Sequence, residues 1–181
     1  MVVVGFKSEL ITQKYFDLSF AYNDDYDRTN TAASLLLALE KTNQDDILWL
    51  NGDVVFDEDI LRLIQKNLGH NLVFVKRGPC GAEEVKYSVD RDGAIINISK
   101  TVYNGLGEAV GINLIKKQDL PTLIACLTEC KPADFFEKAI ELAIERGVRF
   151  LPVDIGDDFC IEIDFEEDLS TVKEHFSEQS T

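Results

Sequence analysis

No CxxC pair, no basic run longer than two residues and no apolar stretch of membrane-spanning length occurs in these 181 residues, and each absence removes a class of function. The four cysteines are Cys80, Cys126, Cys130 and Cys160. Cys126 and Cys130 would share a helical face at i, i+4, a hint of metal, but no histidine or third cysteine lies near them. They read as buried free thiols of a reducing compartment rather than as a zinc site. The two histidines, His70 and His175, neighbour no nucleophile motif and read as surface residues. Lys and Arg number 18 against 33 Asp and Glu, for a net charge of −15, which argues against a nucleic-acid or anionic-membrane surface. Met1-Val2-Val3-Val4-Gly5 is too short for the apolar core of a signal peptide. A soluble, cytoplasmic protein without nucleic-acid or membrane partners fits this balance. Acidity leaves a phosphorylated substrate open, provided that a divalent cation and a few local lysines supply the positive charge.

What is present is enough apolar sequence, 45% of residues, to bury the core of one domain. The expected organisation is a single domain over residues 1–176 with a frayed tail at 177–181. Val2-Val3-Val4 reads as a strand, Ser8 to Phe16 as a helix with Leu10, Ile11 and Tyr15 at helical spacing, and Leu18 to Tyr22 as a second strand. Thr29-Asn30-Thr31 can cap a helix over Ala32 to Lys41 that is apolar on most sides and so expected to be buried. Ile47 to Leu50 reads as a strand buried on both faces, and Asp57 as the N-cap of a helix carrying Ile60, Leu61, Ile64 and Leu68. Such strand–helix alternation implies βαβ units and a largely parallel sheet. The middle changes character: after a strand from Asn71 to Lys76, the runs Val85 to Val89 and Ile95 to Ile98 are joined through Asp92-Gly93, a hairpin signal. A strand from Glu108 to Ile115, two amphipathic helices from Leu120 to Cys130 and from Phe135 to Arg146, and short strands at Arg149 to Val153 and Cys160 to Ile163 follow. The last helix opens at Asp164, with acid in its first turn to suit the helix dipole.

Asp53 ends the apolar run Ile47 to Leu50, and in open α/β sheets ligands bind beyond the carboxyl ends of strands. Its alternative role is a simple turn. Glu162 and Asp164 are two apart, so in extended chain both can face one ligand, and with Asp53 they would offer Mg²⁺ two or three hard oxygens. Acids at a helix start are also ordinary caps. Lys86 and Lys100 flank the hairpin and can offset phosphate charge, the other reading being solvated surface. The aromatics Tyr22, Tyr26, Trp49, Tyr103, Phe135 and Phe136 offer faces for a quaternary ammonium or pack in the interior, the latter suiting Trp49.

The segments VVVGFKSELI, YNDDYDRTNTAASLLLA, ILWLNGDVVFDEDIL, VDRDGAIINISK, GEAVGINLI, FFEKAIELAIERG and VDIGDDFCIEIDFEEDL together resemble the nucleoside-triphosphate transferase family, the sugar-phosphate nucleotidyltransferases, and especially its choline-phosphate cytidylyltransferase-like members. The resemblance covers nearly the whole chain in order. It implies an α/β, three-layer fold with a mixed, mostly parallel sheet and an antiparallel hairpin, as in nucleotide-diphospho-sugar transferases. It implies Mg²⁺-dependent transfer of a nucleotidyl group, CMP from CTP, to a phosphorylated sugar or alcohol such as choline phosphate. Asp53 and Asp164 would hold Mg²⁺, with Glu162 as a third ligand. Lys100 would take the catalytic place, and Asn30, Lys86 and Glu108 would meet the substrates. The family opens with a strand and a glycine-rich loop bearing an arginine and a lysine; this sequence starts at what resembles the second strand. The expectation is therefore an N-terminally truncated chain lacking a βαβ-sized unit of roughly 30 residues or more, or a descendant that no longer performs the transfer. The alternative function is a non-catalytic binding or assembly module reusing the fold, with homo-oligomers open.

Overall fold

The computed structural model describes residues 1–42 and 45–178. In chain order they form β1 (Val2–Val4), α1 (Ser8–Lys14), β2 (Phe20–Tyr22), α2 (Thr31–Leu39), β3 (Ile47–Leu50), β4 (Val54–Phe56), α3 (Glu58–Asn67), β5 (Asn71–Arg77), β6 (Lys86–Val89), β7 (Ile95–Ser99), β8 (Gly107–Ile115), α4 (Leu120–Glu129), α5 (Phe136–Glu145), β9 (Phe150–Asp154), β10 (Cys160–Glu162) and α6 (Glu166–Glu178). The last helix therefore runs past Phe176 to Glu178. Residues 179–181 of the expected tail lie outside the described residues. No helix among the described residues is long and apolar enough to cross a membrane. The chain divides into two compact units, one of Met1–Asp46 with Lys116–Val148, the other of Ile47–Ile115 with Arg149 onward.

In the first unit β1 and β2 pair in parallel, Val2 beside Phe20 and Val4 beside Tyr22, with α1 as their crossover. Asn30 caps α2, its side-chain oxygen accepting from Thr31 N–H at 2.8 Å. Thr31 Oγ1 accepts in turn from Phe136 N–H at 3.0 Å, tying the start of α2 to that of α5. Ala32, Leu35 and Leu39 of α2, Leu123 and Cys126 of α4, and Ile140 and Ala143 of α5 are buried, each large aliphatic contributing about 1.5–3 kcal/mol. The burial expected of α2 is found on that one face. Helix α1 departs from expectation: its periodic residues bury none of their number, with Leu10 61% and the following Phe16 88% exposed. Helical spacing marks a face, but only a neighbour can cover it.

The second unit holds a six-stranded mixed sheet. Strand β8 runs antiparallel to β3, β5 and β6, while β5 and β9 are parallel, so β3, β5, β6 and β9 point one way and β7 and β8 the other. Since β5 takes one edge of β8, β3 and β6 occupy successive stretches of the opposite edge. The hairpin β6–β7 forms as its Asp-Gly turn dictates: Gly93 takes φ 79°, and Asp90 Oδ1 accepts from Asp92 and Ala94 N–H, both at 2.9 Å. Ile60 and Ile64 of α3 pack on Leu72, Phe74, Ile112 and Leu114 of the sheet. Strand β3 is not buried on both faces. Trp49 is covered, but Leu48 and Leu50 on the other side are 38% and 41% exposed. An apolar run is compatible with two-sided burial without requiring it.

The short strand β4 has no counterpart in the sequence reading, which takes the chain directly from Asp53 to the helix cap at Asp57. It pairs antiparallel with β10, Val54 beside Glu162, Val55 beside Ile161 and Phe56 beside Cys160. This ribbon places the site.

Candidate functional site

After β3 the chain turns through Asn51-Gly52-Asp53 into β4. The ribbon's last backbone bond runs from Ile163 N–H to Asp53 O at 3.0 Å, which sets Asp53 level with Ile163, between Glu162 and Asp164. The turn is fixed from the sheet side as well, by Asn51 N–H donating to Gly111 O at 2.9 Å. Gly111 has φ 72°, and a β-carbon there would stand 2.8 Å from Asn51 Nδ2 and 2.9 Å from Val54 Cγ2, so glycine lets the turn lie against β8. Asn51 Nδ2 then donates to Glu162 Oε1 at 3.0 Å.

Charge accumulates here. Local desolvation raises the pKa of Glu162, although the residue is exposed, and the charges of Asp53 and Asp164 raise it further, against the Asn51 hydrogen bond and Lys100, which lower it. Glu108 on β8 is also raised, by burial first, then by Glu84 and Glu162, with Lys76 opposing. Cys160 is pushed up to about 11 by burial and by Glu162, which keeps it a neutral thiol rather than a nucleophile or soft ligand.

Beside the ribbon lies a cavity of about 710 Å³. Carboxylates of Asp57, Glu84, Glu108, Glu162 and Asp164 and of the loop pair Asp157 and Asp158 line it, against Lys76 and His175 as basic groups. Its walls include neither Asp53 nor Lys100, although both act on the charge of Glu162. A cavity so biased favours a cationic group, or a phosphate accompanied by a cation.

Of the residues singled out in the sequence, Asp53, Glu162 and Asp164 lie at the same end of the ribbon, where Asp53, Asp164 and Lys100 all act on the charge of Glu162 and Glu162 acts on that of Glu108. Lys100 Nζ is 3.3 Å from Glu83 Oε2. Lys86 stands opposite Glu108 across β6 and β8, but its Nζ donates to Gly81 O at 2.9 Å. Asn30 belongs to the first unit as the helix cap already described. Among the described residues, no three His, Cys, Asp or Glu side chains converge as a ready-made metal cage. Asp53 and Asp164 instead suit the habit of Mg²⁺, which takes one or two carboxylates and completes its octahedron with water and substrate phosphate. The repulsion that Glu162 feels from both is what a divalent cation would relieve.

Sequence reasoning passed over Asn51, Lys76, Glu84 and the partnership of His175. Asn51 stood beside Asp53 in the sequence and could have been included on that ground. Of the two histidines, His175 is only 27% exposed in its side chain and bonds Asp57, so it is not a free surface residue. Asp57 starts α3 as foreseen, yet its side chain makes no cap hydrogen bond and turns to His175.

No family model and no curated protein matches the sequence. Solved structures do match. The inositol-1-phosphate CTP transferase from T. maritima superposes with a TM-score of 0.79 at 20% identity, over 97% of this chain and 74% of its own. The CTP:phosphocholine cytidylyltransferase of Streptococcus pneumoniae gives a TM-score of 0.73 at 14% identity, over 97% of this chain and 78% of its own. A UDP-glucose pyrophosphorylase complexed with UDP-glucose gives 0.74 at 11% identity, over 98% and 80%. At such identities the likeness is one of architecture: this chain has the mixed α/β fold that these nucleotidyltransferases share.

Proposed function

We propose that the chain is a nucleotidyltransferase-type protein, transferring CMP from CTP to a phosphorylated small molecule with Mg²⁺ as cofactor. The observation that supports this reading is the β4–β10 ribbon, whose backbone bond from Ile163 to Asp53 sets Asp53 level with the Glu162-Ile163-Asp164 segment. In the reaction an oxygen of the acceptor's phosphate attacks the α-phosphorus of the nucleotide. One phosphorus–oxygen bond forms, the bond to the α,β-bridging oxygen breaks, and pyrophosphate leaves with the electron pair. A phosphomonoester is already ionised at neutral pH, so positioning and charge neutralisation are the main demands. Asp53 and Asp164 would hold Mg²⁺, which when bound neutralises and aligns the phosphates. Asn51 orients Glu162, which stands by as a further ligand. Lys100 would offset phosphate charge, and Lys86 and Glu108 would contact the substrates.

The acid-lined cavity supports an acceptor that carries positive charge, such as choline phosphate, over a neutral sugar phosphate. Calorimetric titration with CTP and Mg²⁺ tests the reading: saturable heat at millimolar ligand supports it, and a silent titration removes autonomous nucleotide binding. Pyrophosphate release with choline phosphate against inositol phosphate then distinguishes the acceptors.

A second reading, a non-catalytic binding or assembly module, draws on the uncovered apolar residues of α1 and after it, Leu10 and Phe16 above all. Sedimentation that shows a clean monomer at high concentration counts against it.

A further inference from the structure

The last helix has little apolar footing. Among the described side chains of α6, only Asp168, Val172 and His175 are partly covered and none is fully buried; spacings of four and three put them on one face. Asp168 holds the start, its Oδ2 accepting from the N–H groups of Asp164 at 3.1 Å and Phe165 at 2.8 Å. His175 holds the other end. Its Nε2 lies 2.9 Å and 3.1 Å from the two oxygens of Asp57; an ionised carboxylate only accepts, so Nε2 carries the proton. The ring stacks on Phe159 with centroids 3.8 Å apart and planes 8° from parallel, and Phe176 meets both rings edge-on. Asp57 N–H also donates to Phe159 O at 3.0 Å.

These contacts close the ribbon at the end opposite its acids. At one end Asp57 is bonded to Phe159, at the other Asp53 to Ile163, with only Val54–Phe56 and Cys160–Glu162 between. So short a ribbon has few bonds to hold its register, and a slip of one residue would turn each side chain to the other face. Helix α6 begins just after Asp164 and returns, at His175, to Asp57, so it ties the two ends together.

We propose that His175 is a positioning residue: by clamping Asp57 and Phe159 it holds the register of β4 against β10 and, through α6, keeps Asp164 beside Asp53. The consequence for a cation rests on the reading of Asp53 and Asp164 given above; the clamp itself does not.

Amide hydrogen exchange on the full chain, wild type against His175→Ala and His175→Phe, tests the clamp, and Mn²⁺ titration followed by electron paramagnetic resonance tests its consequence. His175→Ala is expected to speed exchange at Ile163, Asp164 and Phe165, remote from the substitution, by about tenfold through easier local opening. It is expected to weaken Mn²⁺ binding by about tenfold, the low end for residues that support metal ligands. His175→Phe keeps a stacking ring without the hydrogen bond and should fall between. Should His175→Ala fail to fold, Asp57→Ala, which removes both acceptor oxygens, carries the same comparison. Faster exchange confined to the residues around His175, with Ile163 to Phe165 protected as in wild type, overturns the proposal. A wild-type chain that takes no Mn²⁺ sinks the cation reading, while the exchange data still decide the clamp.

Discussion

Asn51 donates from Nδ2 to Oε1 of Glu162 at 3.0 Å, joining the turn after β3 to the end of β10. The bond lowers the proton affinity of Glu162 against local desolvation and the pull of Asp53 and Asp164. Asn51→Ala should cost roughly 0.5–1.5 kcal/mol of stability, read as a shifted urea midpoint at unchanged slope. An unchanged midpoint would mean that water replaces the amide without loss.

Gly111→Ala should be more damaging than its surroundings suggest. The φ of 72° disfavours a β-carbon, and that carbon would press on Asn51 and Val54. A loss of about 1–3 kcal/mol is expected, with a weaker response of the protein to Mn²⁺ because the Asn51 turn must shift. A variant as stable as wild type would show that the turn is not held at this point.

Stability should fall as pH rises above the ordinary glutamate value of 4.5. Glu162 and Glu108 have folded pKa values raised above that value, so in this window the folded chain binds more protons than the unfolded one, and each deprotonation favours unfolding. Glu162→Gln and Glu108→Gln should lessen the decline of Tm as pH rises above 4.5, and Mg²⁺ should raise Tm for wild type above that same pH. Parallel Tm curves for wild type and both variants would refute the repulsion.

Asp53→Asn is expected to lower Mn²⁺ affinity at least about 100-fold, more than loss of a supporting residue. Asp164→Asn should resemble it, whereas Asp59→Asn, on the exposed side of α3, should leave the titration as it was. Equal affinities in all three proteins would place the cation elsewhere.

The cavity acids should discriminate acceptors. A Glu84→Gln, Asp157→Asn double variant is expected to raise KM for choline phosphate about tenfold or more, at about 1.4 kcal/mol per decade, and to leave KM for inositol phosphate near its starting value. The same rise for both acceptors would show that these carboxylates act through structure rather than through charge.

Strand–helix alternation, the Asp-Gly hairpin and the placement of Asp53, Glu162 and Asp164 at element ends were readable from sequence because each depends on local chemistry. Turn residues, periodicity and caps act over a few positions. The pairing of β4 with β10 was not readable: three residues show no period, and their partner lies far along the chain. Only tertiary contact turns Asp53 from a residue ending a strand into a neighbour of Asp164. The same holds for β8, whose direction against β3, β5 and β6 depends on long-range register, and for Gly111, whose need becomes visible when Asn51 packs on it. Coverage, too, was decided in three dimensions. Leu10 and Leu48 are as apolar as Leu35 and Leu72, but exposure is set by what lies opposite a side chain and not by the side chain alone. His175 is the clearest case, a helix residue in an acidic stretch that takes its role from Asp57 and Phe159, which the fold alone brings beside it.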